Sequence, residues 1–157
     1  MRHLAPLAAV LVAALAATPA LAEGPHDGAW VSMHEGSYWS DGKLPPDFKL
    51  TVNLTFGPNK LVYHSVNTTN PDHPYISDHT TTLDGAVAPF ENQARFNQVS
   101  VKQTGPNDIT ILKMKDGDVI AGEFWTFSPD GKTAVRRGVG KSPAGVSKAY
   151  EEHFEKK

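Results

Sequence analysis

The sequence predicts an all-β fold, an antiparallel up-and-down barrel or half-barrel of about eight or nine strands. Three observations predict it. Short runs rich in Val, Ile, Thr, Phe and Tyr alternate apolar with polar residues, so each can bury one face and leave the other in water. Clusters of Gly, Pro, Asn and Asp cut these runs at hairpin intervals, which lays successive strands side by side in meander order. No stretch carries a persuasive apolar stripe at helical spacing.

The first segment, "MRHLAPLAAVLVAALAATPALAEG", lies outside that pattern. A basic start at Arg2, an apolar run from Leu7 to Ala17 and the small-residue ending Ala20-Leu21-Ala22 make it a secretory signal peptide, cut after Ala22. The run is also shorter than the roughly 20 residues that span a bilayer. Residues 1–22 are thus expected to be a leader without a transmembrane role, and residues 23–157 a single exported barrel domain, periplasmic or secreted.

"GAWVSM" at 28–33 reads as the first strand, followed by a long connection from Gly36 to Pro46. In "FKLTVNLTF", Phe48, Leu50, Val52, Leu54 and Phe56 share one face, and Gly57-Pro58-Asn59 turns the chain into "KLVYHSVNTT". "NPDHP" then breaks the alternation: Pro71 fixes φ and the Asp72 side chain bonds its own backbone, so it is mainly a turn. "YISDHTTTL" resumes the pattern up to Asp84-Gly85, and "GAVAPFENQA" reads as an irregular connection. "FNQVSVKQT", "ITILKMK", "VIAGEFWTF" and "KTAVRRGVG" are four strands joined by three turns. In "VSKAYEEHFEKK", Val146, Tyr150 and Phe154 can share a face, which favours a last strand over a helix.

Composition excludes several functions. With no cysteine, the exported chain has neither disulfides nor thiol chemistry nor Cys-zinc sites. Removing Arg2 with the leader leaves 14 basic against 17 acidic residues, and the Lys and Arg do not cluster, so nucleic acid is not an expected partner. Arg136-Arg137 reads as a solvated strand face. A Gly-x-Ser-x-Gly elbow and a phosphate-cradling glycine loop are both missing from the sequence, and no cofactor is expected.

The chemistry-bearing residues are few. His64, His73 and His79 have spacings of nine and six, which match no ligand motif, so no metal site is expected. Along 75–83, Tyr75, Ser77, His79, Thr81 and Leu83 share one face, and Asp78 points to the other, which rules out a direct Asp78-His79 dyad. With that face inward, His79 enters the cavity and titrates near neutrality. Tyr63 can face it from the hairpin partner. If Trp125 is inward, Glu123 enters beside it, with a pKa raised by the apolar surroundings; if Phe124 is inward, Glu123 is surface charge. Tyr38 and Trp39 in the first long connection, with Phe90 in the second, are aromatic candidates for the barrel mouth.

"GAWVSMHEGSYWSDGKLPP", "LDGAVAPF", "SPDGKTAV" and "KAYEEHFEKK", in that order, resemble a bacterial group of secreted lipocalin-like proteins, in which a Gly-x-Trp first strand leads through repeated Asp-Gly hairpins to a terminal Tyr-Glu-Lys. The resemblance implies a calyx that holds a small apolar molecule, and carries no established activity. It also implies an arginine of a late strand, Arg136 or Arg137, stacked on Trp30 in a structural role.

The expected function is binding of a small, partly apolar molecule, with Tyr63, His79, Trp125, Tyr38, Trp39 and Phe90 as contacts. The rival is a cofactor-free acid-base isomerase, lyase or hydrolase, with His79 or Glu123 as base and Tyr63 as acid. A third reading is an envelope interaction module with a filled core. Fold alone does not choose among them.

Overall fold

A computed structural model describes residues 24–157, so the leader read at 1–22 lies outside the described residues. It shows ten strands, one more than the upper expectation: β1 (Gly28–Trp39), β2 (Leu50–Gly57), β3 (Lys60–Asn67), β4 (Tyr75–Thr81), β5 (Asp84–Pro89), β6 (Gln98–Gly105), β7 (Asp108–Lys115), β8 (Asp118–Phe127), β9 (Thr133–Lys141) and β10 (Ser147–Lys156). The extra strand is β5, taken from the segment read as an irregular connection. It is short and mostly exposed, so it lacks the alternation that marks the others.

The strands form one antiparallel sheet in the order β4-β3-β2-β1-β10-β9-β8-β7-β6-β5. Pairing of β1 with β10 brings the two ends of the described chain together, with Trp30 opposite Lys156 and Trp39 opposite Tyr150. The barrel is nearly closed: β4 and β5, joined only by Thr82 and Leu83, are the two edges and are not hydrogen-bonded to each other. β1 runs six residues beyond the "GAWVSM" segment because an irregularity between Met33 and Tyr38 carries it through Gly36, whose φ of 78° suits glycine. The last segment is a strand, as its apolar phase favoured.

Alternation decides what fills the interior. The predicted face of β2 is buried through Phe48, Leu50, Val52 and Leu54. At one end, where the short β2–β3, β6–β7 and β8–β9 turns lie, the barrel is plugged by Trp30, Phe56, Phe127 and His26. His26 stacks on Phe127 at 4.5 Å, and its carbonyl accepts from Trp30 Nε1 at 3.0 Å. The Asp27 carboxylate caps the same end, accepting from the amides of Gly24 at 2.8 Å and Phe56 at 2.7 Å. The opposite end is not packed in this way. No helix among the described residues is long and apolar enough to cross a membrane.

Candidate functional site

The unplugged end holds a cavity of about 590 Å³, walled by β1–β4 and β7–β10, with Trp39 contributed by β1. Inward phase puts Tyr63 of β3 and Ser77 of β4 into its wall, together with Lys113 of β7, Glu123 of β8, Arg136 of β9 and Tyr150 of β10. The two open questions of side are resolved: His79 and Trp125 both point inward, while Phe124 is 47% exposed. Glu123 therefore enters beside Trp125.

Glu123 is not a lone carboxyl in an apolar hole. Lys113 Nζ donates to its Oε1 at 2.6 Å, and Arg136 Nη1 reaches its Oε2 at 3.5 Å. Arg136 continues the chain, with Nε donating to Glu152 Oε2 at 2.9 Å and Nη2 bonded to the same oxygen, and Trp39 Nε1 donates to Glu152 Oε1 at 2.9 Å. All four ionisable side chains are buried. Burial alone raises the Glu123 pKa, but the Lys113 ammonium and Arg136 guanidinium override it and pull the group down to about 2, opposite to the raised value expected from sequence. Burial lowers Lys113, yet Glu123 and the Tyr63 hydroxyl more than reverse that.

Tyr63 and His79 are directly cross-strand, and their rings stack at 4.6 Å and 8°. Phe90 meets His79 edge-on at 5.3 Å, and Lys113 Nζ lies 5.4 Å from the Tyr63 ring. Burial, reinforced by Lys113, lowers His79 to about 3, so it is a neutral imidazole and does not titrate near neutrality. The Tyr63 hydroxyl is shifted up, chiefly by burial. Neither ring nitrogen of His79 has a hydrogen-bond partner among the described residues, and the same holds for Ser77 Oγ, Thr81 Oγ1 and Trp125 Nε1.

The aromatic candidates separate. Trp39 is half-buried at the mouth, edge-on to Phe48 at 5.6 Å, with Lys148 Nζ over its face. Tyr38, its neighbour on the strand, is 56% exposed and outside the cavity wall. Phe90 is core and not a mouth residue, stacked on Phe96 at 6.1 Å. Trp125 lies deeper, against Phe154 at 4.8 Å.

Arg136 does not stack on Trp30. Its guanidinium lies 5.5 Å from the Trp125 ring, 5.4 Å from Tyr150 and 5.5 Å from Phe154, and Trp30 is approached by Lys156 at 5.9 Å. Arg137 is the solvated member of the basic pair, bonded to Glu151 at 2.7 Å. His64, His73 and His79 are not brought together: His64 is on the outer face bonded to Asp78, His73 is in the turn, and His79 is inside.

Lys113, Arg136 and Glu152 were missed as interior groups. The signal for all three was phase: Lys113 follows Ile109 and Ile111 at period two, Arg136 follows Ala134, and Glu152 precedes Phe154.

Beside this cavity, a groove of about 550 Å³ runs over the unpaired β4–β5 edges and is lined by His79 and Tyr63 as well as by Gln93. Gln93 bridges the edge: its Oε1 accepts from the Tyr75 hydroxyl at 2.6 Å and its Nε2 donates to the Ile76 carbonyl at 2.9 Å.

No family model matches the chain, and no curated protein matches it in sequence. Among solved structures it is similar to the zebrafish ileal bile acid-binding protein complexed with cholic acid, with a TM-score of 0.56 and 11% identity over 85% of this chain and 100% of that one. At that identity the likeness is one of fold.

Proposed function

We propose that this chain is an exported binding protein for a small, partly apolar molecule, held in the cavity at the unplugged end of the barrel. The observation that carries this reading is the asymmetry of the interior. One end is filled by stacked aromatic rings, while the other leaves about 590 Å³ walled by Tyr63, Ser77, Lys113, Glu123, Arg136 and Tyr150. A solved barrel of similar fold is complexed with cholic acid, which supports a ligand of that general size and apolar character. The lipocalin-like motifs and the leader at 1–22 support export.

The acid-base alternative is disfavoured by the groups it needs. A general base works best with a pKa near the operating pH. His79 is lowered to about 3 by burial and Lys113, and Glu123 sits at about 2 in its ion pairs, so both are weak bases. Export itself is checked by cell fractionation and N-terminal sequencing, with Glu23 expected as the first residue. For binding, native mass spectrometry of protein purified from its own host is expected to show a retained adduct that organic solvent removes, and Nile red is expected to fluoresce on entering the apo barrel. Absence of both signals sinks the reading.

A further inference from the structure

Four buried charges cancel at the inner wall: Lys113, Arg136 and Glu123 line the cavity and Glu152 is paired to Arg136, while Lys43, Arg95 and Lys148 also line it against Asp41 alone. Both carboxylates are engaged, Glu123 by two cations and Glu152 by Arg136 and the Trp39 indole. All four groups are buried, so a ligand carboxylate brought among them sets three anions against two cations in a place that water screens poorly. A ligand ammonium unbalances the site the other way.

What the inner wall has left over is spare hydrogen-bonding capacity. Lys113 has three N–H donors and gives one to Glu123, and Arg136 has five and gives three. Ser77 Oγ, on the cavity wall opposite Ser65, has no hydrogen-bond partner among the described residues. Behind the Tyr63 ring, the His79 nitrogens are likewise unpartnered.

Building on the binding reading above, we propose that the occupant is a neutral amphiphile, an apolar body bearing hydroxyl or carbonyl groups. Its oxygen accepts from Lys113 and Arg136 and pairs with Ser77 without adding a formal charge. An ionised acid, by contrast, must leave its carboxylate at the rim, where Lys148 and Arg95 stand.

The test uses the purified chain at pH 8 and displacement of Nile red by decan-1-ol, decan-2-one, sodium decanoate and decylammonium, each affinity corrected for its own partition into octanol. The alcohol and ketone are expected to bind at least about tenfold tighter than either ion. Glu123→Gln, which leaves two cations against one carboxylate, is expected to shift the ratio toward decanoate by about tenfold; Lys113→Met is expected to shift it toward decylammonium. Far-ultraviolet circular dichroism verifies that each variant is folded, and the wild-type ratios stand if a variant is not. Decanoate binding as tightly as the alcohol in the wild type overturns the neutral-ligand proposal and leaves the binding reading intact, as do ratios that ignore both substitutions. Failure of Nile red and all four probes to bind overturns both.

Discussion

At the scale of single residues, His79 carries the clearest pH signature. Its imidazole is desolvated among Tyr63 and Phe90, faces Lys113 and Glu123 across the interior, and has Asp78 beside it on the outer face; burial and Lys113 dominate, and the pKa falls from 6.5 to about 3. Below pH 6.5 the unfolded chain takes up a proton that the folded chain refuses, so this contribution to stability is complete above 6.5 and is lost as pH falls toward 3. The expected slope is about 1.4 kcal/mol per pH unit. Glu123, lowered from 4.5 to about 2, adds a second loss in the same direction only below 4.5. Urea unfolding of wild type and His79→Phe between pH 7 and 5 isolates the histidine, and the variant is expected to show the flatter profile. Equal slopes would remove His79 as the source. That His79 and Asp78 take opposite faces was legible from the alternation of the strand, which leaves open which face is inward. The pKa of His79 was not legible, because Lys113 arrives from β7 and no local spacing links residues 79 and 113.

At the scale of elements, the alternating strands were legible because each buries one face, and β5 was not because it buries almost nothing. The same weakness leaves β4 as an open edge. The Ile76 carbonyl points into the gap, where Gln93 donates to it, and in an antiparallel strand the N–H and C=O of alternate residues share a side. The amides of Ile76, Asp78 and Thr80 therefore face the gap, while those of Ser77 and His79 face β3. Gln93→Ala removes the bridge to Tyr75 and Ile76 and is expected to speed hydrogen exchange at the first set by about tenfold, leaving the second set near its original rate. Uniform protection across both sets would mean that the gap is closed by something other than Gln93. The closing contact, β1 on β10, joins residues more than a hundred positions apart. Meander order suggests such closure, but the register comes from matching two apolar phases in space.

At the scale of the whole molecule, the barrel divides its interior between stability and site. Trp30, Phe127 and Phe154 are buried in an aromatic cluster at and above the plugged end, where packing is dense and His26 and Asp27 tie down the chain before β1. At the other end Trp39 packs edge-on against Phe48 beneath Lys148, contributes one hydrogen bond to Glu152, and remains half-buried. Truncating a fully buried aromatic costs about 3–5 kcal/mol through lost transfer energy and a cavity that neighbours cannot fill. Phe127→Ala is thus expected to lower global stability by that amount, in one cooperative transition, with Nile red affinity changed less than threefold because the cavity lies at the far end. Trp39→Ala is expected to cost less, about 1–2 kcal/mol, since part of its surface already meets water. Its larger effect is on the rim: with the indole gone, Glu152 loses a donor and Lys148 loses the ring beneath it, so Nile red is expected to leave faster in stopped-flow dilution. If Phe127→Ala slackens the dye as much as Trp39→Ala does, the two ends are mechanically coupled and the division of labour along the barrel axis does not hold.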